Sequence, residues 1–239
     1  MSESQERKLT GIIASAATIS EPQRREMFAL MHQFYLADET AFYQDLQNKH
    51  KIILLHDQEQ QLQGFTSARL FDLEIEKEPV KILFSGDTII HPDFWGTLEL
   101  PRIWGRLMLD TIDEIRGIPL FWFLISSGYR TYRFLPAYFH EFFPRHDAQT
   151  PAEMQNILDS AANFLFGNRY QSELGIIKLE HPTPLREVIA PPGEERRKNP
   201  HIDFFLNRNP GYVNGEELAC ITRLSVDNIK PFVKRLLRT

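Results

Sequence analysis

A single cysteine, Cys220, leaves this chain unable to form an intrachain disulfide, which suits a reducing compartment. No apolar run approaches the roughly 20 residues of a membrane-spanning helix. The polar, mixed-charge start from Met1 to Lys8 lacks the basic-then-apolar order of a signal peptide, so a cytoplasmic protein with no membrane span is expected. No Gly-x-Ser-x-Gly, P-loop or dinucleotide fingerprint occurs. Metal ligands are also unsupported: His140 and His146 stand too far apart for one helical face, and Cys220 has no second thiol. A formal net charge of -5 speaks against nucleic acid as the main partner. Internal repeats and low-complexity segments are missing.

What is present reads as globular. Hydrophobic residues make up 42% of the 239 and charged residues 25%, enough apolar material for one large core or two small ones. The 18 Phe suggest an aromatic core or an apolar groove, and composition leaves both open.

Taken in order, Leu9 to Ala17 suits a first strand. Ser20-Glu21-Pro22-Gln23 carries a capping-box pattern with proline in the first turn, and Met27, Leu30, Met31 and Phe34 follow at helical spacing. Asp38 caps a second predicted helix reaching about Asn48. Lys51 to His56 and Leu62 to Phe71, separated by Asp57-Gln58-Glu59-Gln60, predict a β-hairpin. The charged stretch Asp72 to Glu78 reads as a connection before a strand from Val80 to Ile90. Ile103, Leu107, Ile112 and Ile115 mark a helix that Gly117 ends. Pro119 to Ile125 is apolar throughout, as in a central strand buried on both faces. Tyr129 to Phe143 is expected to be helical in its second half, and Pro151 to Phe166 is a further helix. Gly175 to Leu179 reads as a short strand. Five prolines and the run Glu194 to Lys198 make residues 181–200 a long exposed loop. A short segment Ile202 to Leu206, a strand through Leu218 to Ile221 and a basic helix from about Val226 complete the chain, with Lys234, Arg235 and Arg238 near its end.

The stretch His91 to Pro101 lies between a strong strand and a helix, where unpaired helix N–H groups favour an anion. Ile90-His91-Pro92-Asp93-Phe94-Trp95-Gly96-Thr97 resembles the segment Val-x-Pro-Glu-Tyr-Arg-Gly-x-Gly-x-Gly of the acyl-CoA N-acyltransferase (GNAT-like) superfamily. Trp95 stands at its Arg position, and Leu98 and Leu100 stand where that family has glycine. Tyr138-Phe139-His140-Glu141-Phe142-Phe143 is similar to the family's Tyr-x-x-x-Gly-Phe segment, with Phe142 at the glycine position. The element order over Leu9 to Phe143 agrees. The resemblance implies an α/β fold: a mixed, twisted sheet of six to seven strands with helices on both faces. Residues 1–145 would form the core, and 146–239 an extension completing it or packing on it rather than an independent domain.

The resemblance also implies a role for particular residues. Acetyl-CoA or a longer acyl-CoA would lie along Ile89, Ile90, Trp95, Gly96 and Thr97, with Arg102 and Arg106 beside it. Tyr138 would protonate the leaving thiolate. An amine acceptor, small molecule or protein, is implied, and the apolar Phe94, Trp95, Leu98 and Leu100 make an acyl-carrier protein donor equally acceptable. Amine acylation further needs a base, and Asp87, Glu99 and His91 are the ionisable residues nearest the loop. Asp87 interrupts an apolar strand beside Ser85 and Gly86; the plainer reading is an outward-facing residue. Glu99 in a helix first turn is also a dipole-favoured carboxylate, and it would oppose a pyrophosphate there. Tyr129, Arg130 and Arg133 form an aromatic–basic cluster suited to substrate phosphate or carboxylate, or else a surface helix with stems packed on Phe134. The other functional reading is an inactive binding module, with the Trp95–Leu100 loop filling the cofactor cleft; Trp95 or Leu98 plugging the gap between the two central strands would favour it.

Overall fold

The computed structural model describes residues 8–184, 186 and 193–237. The chain begins with β1 (Thr10–Ser15), followed by α1 (Glu21–Phe34) and α2 (Glu39–Gln47). Ser20 and Gln23 form the reciprocal capping box, and Asp38 Oδ1 accepts from Ala41 N at 2.7 Å. Next come β2 (Lys51–His56), β3 (Leu62–Ile75) and β4 (Glu78–Ile90). The charged residues 72–75 are therefore strand rather than connection. Leu73 and Ile75 alternate with Asp72 and Glu74, Lys81 pairs with Asp72 across the ladder, and Glu76 and Lys77 turn the chain at φ 52° and 73°.

A 17-residue α3 (Glu99–Ile115) leads to β5 (Leu120–Ser126). Tyr129 to Phe143 then departs from the expected late helix: α4 (Tyr129–Tyr132) and α5 (Phe134–Tyr138) are short turns, and the rest is extended. Phe143 instead bridges Ile221, and Phe139 bridges Ile229. α6 (Ala152–Phe166) precedes the short hairpin β6 (Tyr170–Gln171) and β7 (Ile176–Lys178). Within the predicted loop, α7 (Glu194–Arg197) forms, and α8 (Pro200–Arg208) starts on an Asn199 cap. β8 (Glu216–Arg223) and α9 (Pro231–Leu236) end the described chain; Arg238 lies outside it.

Among the described residues eight strands form one sheet in the order β1-β2-β3-β4-β5-β8-β7-β6, against the six to seven expected. Among them only β4 and β5 are parallel neighbours. α1 and α2 cover one end of a sheet face, α6 the other end of that face, and α3, α8 and α9 the opposite face. Helices thus lie on both faces. Among the described residues no helix is long and apolar enough to cross a membrane.

Candidate active site

The site begins with a break in strand pairing. β4 and β5 are in register from Lys81 opposite Leu120 to Ser85 opposite Leu124, and no further. β3 stays with β4 up to Gly64 opposite Ile90, while β8 stays with β5 to Leu218 opposite Ser126. The two central strands therefore diverge, each carrying its outer neighbour.

The cause is a bulge. β3 spends two residues, Thr66 to Ala68, where β4 spends three, Ser85 to Thr88. An extra residue bends its strand and reverses the alternation beyond it. Before the bulge, Lys81 N donates to Pro119 O at 2.9 Å, so odd-numbered N–H groups face β5. After it, His91 N donates to Gln63 O at 2.8 Å, so odd-numbered groups face β3. The N–H groups of Thr88 and Ile90 consequently point into the split. The same reversal puts Asp87 on the α1/α2 face, where uninterrupted alternation would have turned it the other way.

Three cavities meet at this split, and Thr88 and Thr131 line all of them. A narrow apolar channel of about 50 Å³ runs beneath α3, walled by Trp104, Met108, Trp122 and Phe139. The Ser85 hydroxyl accepts from Trp122 Nε1 at 2.8 Å and Trp104 Nε1 at 3.4 Å, which fixes both indoles.

A wide cleft of about 820 Å³ opens past the ends of the strands. It brings together Ile89, Ile90, Trp95, Gly96 and Thr97 with Tyr129, Arg130, Arg133 and Tyr138. Two further cations, Arg186 and Arg196, join them. The Arg130 guanidinium lies 4.1 Å from the Trp95 ring centroid, and Arg196 donates to the Tyr129 hydroxyl at 2.8 Å. Thr97 Oγ1 is buried against this cleft without a partner among the described residues. Trp95 is no plug. It is 42% exposed, its Nε1 donates to Ile90 O at 2.9 Å, and neither it nor Leu98 lines the channel. Tyr138 lines both cleft and channel, and burial raises its phenol above the ordinary range, so it keeps its proton at neutral pH.

A third cavity, of about 420 Å³, opens on the α1/α2 face. Asp87 lies on its floor, within reach of solvent, with Glu217 from β8 and the Asp45–Lys49 pair, which is closed at 2.8 Å. Burial, reinforced by the Asp45 carboxylate, raises Asp87 to about 6; Lys49 works against the rise. Glu217 is raised further, to about 8, by burial and then by Asp87 and Asp45. Gly86 admits Lys49 here, since a Cβ would sit 2.8 Å from Nζ. Tyr35 lines both this cleft and the basic one, and burial pushes its phenol up to about 12.

Glu99, Arg102 and Arg106 line none of these three cavities. Glu99 accepts from Gly11 N at 2.8 Å and is gripped by Arg102 at 2.8 and 2.9 Å. Hydrogen bonds from Arg102 and Gly11 hold its carboxyl below the usual range against the opposing effect of burial. It ties α3 to β1. Sequence reasoning missed Glu217, Lys49, Tyr35, Arg186 and Arg196. A charged residue ahead of the apolar run Leu218 to Ile221 was the one available sign of Glu217.

No protein-family model matches this chain, and no curated protein matches it in sequence. Several solved structures resemble it. A conserved Enterococcus faecalis protein, a probable N-acyltransferase, is 16% identical over 56% of this chain and 33% of its own, with a TM-score of 0.42. An Escherichia coli GNAT family N-acetyltransferase in complex with CoA is 13% identical over 53% of this chain and 68% of its own, at 0.38. Saccharomyces cerevisiae N-myristoyltransferase with bound myristoyl-CoA is 15% identical over 49% of this chain and 31% of its own, at 0.36. The chain thus spans about a third of the first of these proteins. The likeness is one of fold.

Proposed function

We propose that the protein transfers an acyl group from a phosphate-bearing thioester, acyl-CoA or acyl-carrier protein, to an amine across the split between β4 and β5. The observation that carries this reading is the meeting of a basic cleft and an acidic cleft at Thr88 and Thr131, where β4 leaves two N–H groups unpaired by β5. A thioester donor fits the basic cleft. Arg130, Arg133, Arg186 and Arg196 offer guanidinium forks for phosphates, and Thr97 Oγ1 offers an orphaned hydroxyl. Charged side chains would thus replace the glycine cradle lost at Leu98 and Leu100. In the same reading, residues 146–239 complete the core formed by 1–145, because β8 supplies Glu217.

The chemistry then divides among this chain's own groups. The Thr88 and Ile90 N–H groups polarise the thioester carbonyl and hold the oxyanion. Asp87, ionised above about pH 6, takes a proton from the ammonium form of the acceptor, directly or through one water. The free amine attacks the carbonyl carbon, a C–N bond forms, and collapse breaks the C–S bond. The thiolate leaves with the Tyr138 proton. The tetrahedral nitrogen gives up its second proton to solvent as it becomes the amide; Asp87 then releases its proton and Tyr138 recovers one, so the products are an amide, a thiol and one net proton.

The test combines calorimetric titration with acetyl-, butyryl- and palmitoyl-CoA and a thiol-release assay over a panel of amines, including an acyl-carrier donor. Saturable thioester binding and amine-dependent thiol release are expected. Absence of both with every donor would overturn the proposal.

A further inference from the structure

Glu217 takes no part in the chemistry assigned above. Its side chain sits in β8 with 6% of its surface exposed, lines the acidic cleft, and has no hydrogen bond or ion pair among the described residues. A carboxyl held almost wholly out of bulk water, with no protein partner, is costly unless cavity water or a ligand pairs with it, and Glu217 faces the cavity. Among the described residues, none of the cations lining the cavity makes an ion pair with Glu217. Lys49 is bound to Asp45, Arg69 lies over the Phe71 and Phe164 rings, and Arg169 donates to Phe166 O at 3.1 Å. Asp38, Asp87 and Glu180 add further carboxyls to the lining.

We propose that this cleft selects an acceptor with a second positive charge: a small aliphatic diamine. Its distal ammonium is held by Glu217, and its other nitrogen reaches the split beside Asp87. The inference rests on the acyltransferase reading and names its acceptor class. The size limit comes from the cavity's walls, which include a strap tied to the end of α1. Pro184 O accepts from Leu36 N at 2.9 Å and Arg186 N donates to Phe34 O at 2.8 Å, while His181 and Thr183 face the cavity. A cavity of about 420 Å³ takes a short alkyl chain with two nitrogens and leaves little room for a folded protein's surface.

Binding should move a proton. In the free protein Glu217 stays protonated near pH 7, being raised to about 8. The groups facing it are Asp87 on β4, Asp45 and Lys49 at the end of α2, and Tyr35 after α1. An ammonium arriving beside the carboxyl favours its ionised form, so the proton leaves.

The experiment is calorimetric titration of the full chain near pH 7 with diaminopropane, diaminobutane and diaminopentane, and with butylamine as the one-charge control. Running each titration in two buffers of different ionisation enthalpy counts protons. At least one diamine should bind roughly ten- to hundredfold more tightly than butylamine, the range expected of one charge-assisted contact. It should release about one proton, and the release should vanish near pH 9, where Glu217 is already ionised. Glu217→Gln should abolish both the preference and the proton; Glu217→Asp keeps part of each and guards against a variant that merely misfolds. Equal binding of butylamine and every diamine overturns the inference, as does a preference that survives Glu217→Gln. The thioester titration above is independent. Diamine binding without thioester binding would sink the acyltransferase reading alone, and the converse would sink this inference alone.

Discussion

The two mouths of one gap differ in charge. On the basic side, arginines from α4, the strap and α7 surround an open cleft, with Arg130 stacked on Trp95. On the acidic side, carboxyls from β4 and β8 lie at the floor of a smaller cavity. The β4 bulge produces both, since the extra residue opens the split for one and turns Asp87 into the other. On the proposed function, such a pair would keep an anionic donor and a cationic acceptor from occupying each other's place.

The sharpest way to break this comparison is Asp87→Asn. On the acidic side it removes the proposed base, so kcat should fall by roughly 10²–10⁴ with thioester binding retained. In the parent protein kcat/KM should rise as pH climbs through about 6, where Asp87 ionises. In the variant that limb should be missing, and its persistence in a full pH profile would assign the base elsewhere.

Arg130→Ala probes the other side. Loss of a guanidinium on a phosphate should weaken thioester binding by about ten- to hundredfold, while amine binding measured in the same instrument stays unchanged. A variant that loses amine affinity instead would invert the assignment of the two clefts.

Glu217→Gln has a consequence for stability as well. The unfolded carboxyl titrates near 4.5 and the folded one near 8, so between these values the native state holds a proton that the unfolded chain has lost. Stability therefore falls as pH rises from about 4.5 through 8, and above 8 the full penalty applies. Thermal unfolding near pH 9 should show the variant more stable than the parent, on the order of 2–4 kcal/mol, with the difference shrinking toward pH 5. An equal difference at both pH values would mean that Glu217 is not desolvated.

The smallest expected effect is at Glu99→Gln, outside both clefts. Weakening the links to Gly11 and Arg102 should cost about 1–3 kcal/mol of folding stability. A drop in kcat of the folded variant would return Glu99 to the site.

These residues also mark how far the sequence could be read. Local signals were sufficient for the Ser20 and Asp38 caps, for β2 and β3 as far as Phe71, and for the buried face of α3, because each depends on neighbours no more than four positions away. Asp87 was visible as a carboxyl interrupting an apolar strand beside Gly86. The bulge that sets its direction was not, because it depends on the register with β3. Glu217 becomes a site residue only when β8 inserts beside β5, some 90 positions away in sequence (about half the chain's length from Asp87's own strand). Arg186 and Arg196 lay inside a proline-rich stretch, and the placement of these two residues depends on bonds to Phe34, Tyr35 and Tyr129. The missed β6 is two residues long, too short for any period. Glu99 went the opposite way, since the helix-start pattern gave no sign that Gly11 would occupy it.

The claim beneath all of this is that a thioester carbonyl meets the β4 edge inside the split. Amide resonances of Thr88 and Ile90, followed by NMR during titration with a slowly hydrolysed acyl-CoA, test it most directly. Both N–H signals should move downfield as they take up a carbonyl acceptor, and Gly64, behind them on β3, should move little. Saturable binding that leaves Thr88 and Ile90 unmoved would contradict the account.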